Sequence, residues 1–303
     1  MTLGKSEGDK VYISLNDTVT VTRMGHLTEI QHMEKMNNEI SIRKINKDEF
    51  VYLETGEVGT YKHIENRSES YNSLRKTFKK LRYLINNNFQ GKPNELLITL
   101  TYAENMRDTD KLRADMNRFT TALKKRYKDK TSVDYLSVVE PQERGAWHVH
   151  MLIRFNDYKK IYLDNNDIAK LWGHGFVTIQ SLKNIDNIGA YLSAYLTDVE
   201  LTSGNIFDAM KDGVTVIEKE YDGEKKKFIK GGRLHMYPPN MNLFRKSQGI
   251  KYPSRTRMKY KEAKKIVGSA EPHYSKNILL SQTTFLTPLH LNSIIQNDYS
   301  IIR

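Results

Sequence analysis

Three groups of side chains in this chain have the types and spacing that bond-making chemistry needs. The first is His148-Val149-His150. On a β-strand, residues i and i+2 project from one face, so both imidazoles are offered together, a start for a divalent-metal site. Alone, such a pair is equally at home as polar surface on a half-buried strand. The second is Glu140. If the intervening turn centres near Arg144, Glu140 lies opposite residues 147–149, and its carboxylate joins the two imidazoles. Two His and one carboxylate leave coordination positions open for a substrate oxygen. Glu143 competes for this role, but it falls in the turn, where a charge needs no special reason, so Glu140 is preferred. The third is Tyr191-Leu-Ser-Ala-Tyr195. On a helix, i and i+4 lie one turn apart on one face. The pair offers two phenols to one site, or two amphipathic rings that pack the helix on a sheet.

These groups need a scaffold, and the patterning supplies one. VDYLSVVE (133–140) and AWHVHMLIRF (146–155) read as strands of a hairpin turning through Pro141–Gly145. ELLITLTYAEN (95–105) is apolar on both faces, as a central strand is, and GFVTIQSL (175–182) is another strand. Leu74, Phe78, Leu81, Leu84, Ile85 and Phe89 recur at helical spacing, as do Leu112, Met116, Phe119 and Leu123. Residues 165–172 and 185–199 are further helices, and 214–229 is a weaker hairpin turning at Asp222-Gly223. The N-terminal residues read as strands too: VTVTRM (19–24), ISIRKI (40–45) and a hairpin over 49–63 turning at Glu54–Glu57. The order predicts an α+β fold with a central antiparallel β-sheet and flanking helices. The expected division is a β-rich accessory region at 1–65, a principal domain at 66–265 ending in a basic segment, and a tail at 266–303 without clear period.

Composition narrows the function. There is no cysteine among 303 residues, which excludes a disulfide scaffold, a thiol nucleophile and any Cys-ligated metal. No apolar run reaches the ~18 residues of a membrane span. The first residues, MTLGKSEGDK, lack a signal-peptide core. The expectation is a soluble cytoplasmic protein with no membrane partner. Net charge is +12, and it is concentrated. Lys225 to Lys265 holds fourteen Lys/Arg and one acid, Glu262, so the rest of the chain is close to neutral. Phe228, Tyr237, Phe244, Tyr252 and Tyr260 are interleaved with these cations. Cations for phosphates and rings for bases suit single-stranded nucleic acid. The chain has no GxxxxGK[ST], hence no P-loop motor.

Together the three groups form a plan that resembles the HUH endonucleases, the rolling-circle replication initiators of plasmids and single-stranded DNA phages. The resemblance covers about 66–260. It rests on Leu97-Ile98-Thr99-Leu100-Thr101-Tyr102, on Glu140 through Arg144-Gly145-Ala146-Trp147-His148-Val149-His150, and on Gly189-Ala190-Tyr191-Leu192-Ser193-Ala194-Tyr195, with Trp172-Gly173-His174-Gly175 between them. It implies the HUH endonuclease fold, an RRM- or palm-like sheet. It implies that His148, His150 and Glu140 ligate Mg²⁺ or Mn²⁺. It implies that Tyr191 and Tyr195 are the nucleophiles of a metal-dependent, site-specific nickase and strand transferase that forms a 5′-phosphotyrosine. The implied partners are single-stranded origin DNA and a separate host helicase and DNA polymerase. The family often has Lys three residues after a catalytic Tyr, where this chain has Ala194 and Asp198. Lys183 or the basic block would have to supply that charge. Relaxases and transposases of the same chemistry fit less well. Relaxases place Tyr before the His pair, and the transposases are much shorter. Two readings of other classes are a non-catalytic origin-binding or copy-control protein and an RNA-binding module. Neither requires both His, the Glu and a Tyr. Trp172 and Tyr102 read as packing residues, and His174 as a solvated loop residue near the site.

Overall fold

The computed structural model describes residues 3–6, 12–33, 40–61, 71–142, 144–183, 185, 187–189, 192, 199–200, 216–221, 224–229, 236–238, 241–284 and 287–300. The chain divides into two compact units, residues 1–63 with 253–303, and residues 64–252.

The first unit begins with β1 (Leu3–Ser6), β2 (Thr18–Met24), β3 (Leu27–Met33), β4 (Ile42–Lys44), β5 (Glu49–Tyr52) and β6 (Val58–Thr60). β4, β5 and β6 form a small antiparallel sheet, closed by the predicted turn, where Tyr52 N–H donates to Glu57 O. The region is β-rich, as its alternation predicts.

The second unit holds α1 (Tyr71–Asn88), β7 (Glu95–Thr101), α2 (Thr109–Tyr127), β8 (Val133–Pro141), β9 (Trp147–Phe155), α3 (Asn165–Trp172), β10 (Val177–Ser181), β11 (Val199–Glu200), β12 (Val216–Tyr221), β13 (Glu224–Ile229) and β14 (Phe244–Lys246). Its main sheet has the order β10-β7-β9-β8-β14, every pair antiparallel. β9, which carries both histidines, is the middle strand. β11, β13 and β12 form a separate small sheet that includes the expected 214–229 hairpin.

The main sheet is packed on both faces, and strand period sorts its side chains. Ile98 and Leu100 of β7 and Val149, Met151 and Ile153 of β9 bury on one face against Leu112, Met116, Phe119 and Leu123 of α2. Leu97 of β7, Val138 of β8 and Leu152 of β9 bury on the other, against Leu81, Leu84 and Ile85 of α1. α2 starts where Asp108 accepts the amides of Asp110 and Lys111, and ends in Lys124, Lys125 and Arg126, whose charge complements the helix dipole.

The first unit is completed by β15 (Ser254–Lys259), α4 (Tyr260–Val267), β16 (Pro272–Thr284) and β17 (Thr287–Ser300). Its larger sheet runs β1-β16-β17-β3-β2-β15. Residues 272–300, expected as a tail, are thus two long strands. β17 pairs with β3 from the opposite end of the chain, a long-range ladder that no local period announces. Among the described residues, no helix is long and apolar enough to cross a membrane.

Candidate metal centre

The hairpin of β8 and β9 sets Glu140 directly opposite His148. β7 lies on the other side of β9 and sets Thr101 opposite His148 and Thr99 opposite His150. All five residues have the parity of Leu97, Val138 and Leu152, so they share the α1 face of the sheet. Leu152 marks the change along β9. Beyond it toward the turn, the apolar layer gives way to His150 and then His148.

The predicted ligand set comes together. Glu140, His148 and His150 each offer a ligand atom, and these atoms lie within 4.8 Å of one another. Glu140 Oε2 is 2.6 Å from His150 Nε2, and the two imidazole rings are 5.1 Å apart between centroids. Glu140 is only 5% exposed. A carboxylate so placed needs a counter-charge or hydrogen-bond donors, and His150 supplies one donor. The donor set fits a divalent ion. Imidazole suits first-row transition ions, and a carboxylate widens the range to Mn²⁺ and Mg²⁺.

Two threonines hold the imidazoles from the far side. The Thr101 hydroxyl and His148 Nε2 are 2.5 Å apart, and the Thr99 hydroxyl and His150 Nδ1 are 3.3 Å apart. A partner on one ring nitrogen fixes ring orientation and tautomer, which leaves the other nitrogen for a ligand. With Nε2–H of His150 donated to Glu140, Nδ1 accepts from Thr99. When Nε2 is instead used for a metal, the proton resides on Nδ1 and Thr99 accepts it. The sequence pattern marks Thr99 and Thr101 only as members of a core strand. The signal that could have found them is a Thr-x-Thr on the strand next to a His-x-His.

Both rings are neutral at neutral pH. Burial pushes the pKa of His148 down to about 4, with the neighbouring His150 and the Arg144 guanidinium acting in the same direction. Burial pushes His150 down to about 4 as well. A metal ligand must be unprotonated, and these are.

Arg144 lies at the hairpin turn. It donates to the carbonyls of Tyr102 and Ala103, and its own carbonyl accepts from Arg107. Both guanidiniums are exposed and add positive charge beside His148. Lys183 is elsewhere. It follows Ser181, which pairs with Leu96 at the end of β7 away from Thr101, on the order of 15 Å along the strand. The charge that reaches the histidines comes from Arg144, not Lys183.

The residues of the Trp172–Gly175 spacer lie outside the ligand set. His174 Nε2 is 3.4 Å from Asp115 Oδ1, and the His174 ring packs against Trp172 and Tyr102. These contacts are with the α2 side of the sheet. Trp172 is core, as expected, and its Nε1–H donates to Thr101 O. Tyr102 is 3% exposed, and its hydroxyl donates to the buried Asp115. Burial and that carboxylate raise its pKa, so Tyr102 stays a protonated phenol and is no nucleophile.

Tyr191, Tyr195 and Glu143 lie outside the described residues, as does most of the helix expected over 185–199. The residues described there are anchored on the triad's side of the sheet. Asn86 of α1 accepts from Gly189 N–H and donates to Asn187. A Cβ at Gly189 would stand 2.8 Å from Arg82 O, so the close approach to α1 requires glycine. Ile188 and Leu192 are buried with Leu97, Val138 and Leu152.

No curated protein matches this chain. Residues 95–200, which run from the first residue of β7 through the metal-binding hairpin to the last residue of β11, match the family model of replication-associated protein ORF2, and this part of the chain is that of a rolling-circle replication initiator family.

Proposed function

We propose that the protein initiates rolling-circle replication by nicking single-stranded origin DNA with Tyr191 or Tyr195 beside a divalent ion held by Glu140, His148 and His150, and that it later rejoins the strands. The observation that carries this reading is the convergence of those three ligands on one face of the middle hairpin, within the segment that matches the initiator family. The burial of Ile188 and Leu192 on that face supports bringing the Tyr pair to the same site.

A divalent ion bound there supplies Lewis-acid charge to a phosphate oxygen. The chain's own groups do the remainder. Thr99 and Thr101 orient the imidazoles, and Arg144 adds charge complementary to phosphate. A phenolic oxygen attacks phosphorus, and the bond from phosphorus to the 3′-oxygen breaks. The phenol gives up its proton and the departing 3′-oxygen takes one, so the products are a 5′-phosphotyrosine and a free 3′-hydroxyl. One phosphodiester replaces another, so the step is near thermoneutral and runs backwards to join ends. A second Tyr within one helical turn attacks the next origin while the first still holds the old end.

In this reading residues 66–265 contain the nicking domain and 1–65 are accessory. The 3′-hydroxyl primes a DNA polymerase, a separate helicase unwinds the duplex, and the protein works in the cytoplasm. The test is a covalent-adduct assay. The protein is mixed with labelled single-stranded fragments of its own replicon and Mn²⁺ and run on a denaturing gel. Adduct that is lost in His148→Ala and in Tyr191→Phe or Tyr195→Phe establishes nicking and names the nucleophile. DNA binding without adduct on any fragment overturns it in favour of a binding-only protein.

A further inference from the structure

We infer that Tyr252, with Lys80 and Lys246, is a docking platform for a single strand of DNA, on which a base stacks on the ring and phosphates meet the two ammonium groups. The inference rests on the nucleic-acid reading above and adds a strand-binding surface outside the metal centre.

Three observations carry it. The first is composition in space. Tyr252 is 46% exposed, with Lys80 Nζ 5.1 Å and Lys246 Nζ 5.9 Å from its ring centroid. Lys80 comes from α1 and Lys246 from β14, residues far apart in sequence that meet at one exposed ring. A ring flanked by cations is the arrangement that stacks bases and neutralises phosphates.

The second is rigidity. Lys251, the residue before the ring, is clasped by the end of α1. Its N–H donates to Asn88 Oδ1 at 2.9 Å, and its carbonyl accepts from Asn88 Nδ2 at 2.7 Å and Asn87 Nδ2 at 3.0 Å. Ile250 is fully buried, and Lys246 Nζ donates to its carbonyl at 2.8 Å. An exposed tyrosine on so firmly held a backbone presents its ring without a large ordering cost on binding.

The third is placement. Phe244 packs into the α1-side cluster, and Lys246, two residues on, projects from the same face. Lys246 pairs with Leu136, four residues before Glu140 on β8. The platform therefore shares the triad's face of the sheet, on the order of 15 Å from it. A strand whose phosphate sits at the triad reaches the ring within a few nucleotides.

The experiment is fluorescence anisotropy of the full chain with a labelled oligodeoxythymidine, a duplex of equal length and an oligouridine. Tyr252→Ala should weaken oligodeoxythymidine binding about 5- to 150-fold, the span set by one stacked base. Tyr252→Phe should bind like wild type, and duplex affinity should be unchanged in both. Lys80→Gln with Lys246→Gln should reduce the salt slope for the single strand by about 1.4. Equal single-strand affinity in Tyr252→Ala and wild type, parallel loss for strand and duplex, tighter binding of oligouridine, or no single-strand binding by wild type would each overturn the inference. Adduct formation by the wild-type protein is read separately and reports on nicking, so the two proposals fail independently.

Discussion

Glu140 stands directly opposite His148 across the hairpin, yet its carboxylate bonds His150, two residues further along the same strand. One acid thus spans both imidazoles, and each imidazole is backed by a threonine from the other neighbouring strand. The site is a small polar enclosure assembled from three adjacent strands, closed below by Leu97, Val138 and Leu152.

The first expectation concerns the ion. Two nitrogen donors and one carboxylate favour Mn²⁺ over Mg²⁺, because imidazole binds first-row transition ions better. Calorimetric titration should give the tighter constant for Mn²⁺. His148→Ala, His150→Ala and Glu140→Gln should each weaken it at least about tenfold. At a hundred times its dissociation constant, an ion that binds only the folded chain adds about 2.7 kcal/mol of stability. Mn²⁺ should therefore raise the melting temperature of the wild type and leave the triad variants unmoved. Equal Mn²⁺ affinity across these variants would place the ion elsewhere.

A second expectation is a pH dependence in chelator. In the folded chain both imidazoles are pushed down to about 4, whereas in the unfolded chain they take up protons near 6.5. Between those values the unfolded state holds more protons, so stability rises with pH. The contribution is present above about pH 6.5 and is lost as pH falls toward 4. Urea midpoints of wild type should drop between pH 7 and pH 5 more steeply than those of the His148→Gln, His150→Gln double variant. Parallel curves would show that the rings are protonated in the fold like ordinary surface histidines.

The third concerns Thr101, whose hydroxyl bonds His148. Partners behind a metal-binding imidazole are typically worth 10- to 100-fold in affinity. Thr101→Val keeps size and β-propensity while deleting the hydroxyl, so Mn²⁺ binding should weaken by that order with little change in melting temperature. Thr101→Ser should restore it. If Val binds Mn²⁺ as Thr does, the hydroxyl is incidental.

Most of this centre is legible in the amino-acid sequence, because its ligands lie on a hairpin. Register across a short turn is local, and period 2 fixes which side chains face together. That is why spacing alone identifies Glu140, His148 and His150. It does not identify Thr99 and Thr101, since β7 reaches β9 only after α2 and β8 intervene, and nothing local gives that register. Asp115 is a sharper case. It sits on the buried stripe of α2 with Leu112 and Met116, where sequence suggests a solvent-facing acid, yet it is buried and accepts Tyr102's hydroxyl. Its partners arrive from β7 and from the loop after α3. The strands β16 and β17 are hidden for the same reason at larger scale, since β17 finds β3 across nearly the whole chain.

The last expectation joins that loop to the metal centre. Gly175 has φ +149°, and a Cβ there would stand 2.5 Å from both Thr101 O and Ala103 N. Neither atom can easily retreat. Thr101 N–H donates to Phe176 O, and Ala103 N–H donates to His174 O, each at 2.9 Å. A methyl group must therefore push the end of β7 and carry Thr101 with it. Overpacking and an unfavourable backbone conformation together should cost about 2–5 kcal/mol in Gly175→Ala. Mn²⁺ affinity should fall with it, since the Thr101 hydroxyl shifts from His148. Gly173→Ala is the control. Gly173 ends α3 at φ +73°, and its Cβ would come no closer to a neighbour than 4.0 Å, at Lys170 O. It should lose about 1 kcal/mol for the left-handed conformation alone and bind Mn²⁺ normally. Urea unfolding and Mn²⁺ titration of the two variants separate the effects. If Gly175→Ala loses stability but holds the ion as tightly as Gly173→Ala, the loop supports the fold without supporting the centre.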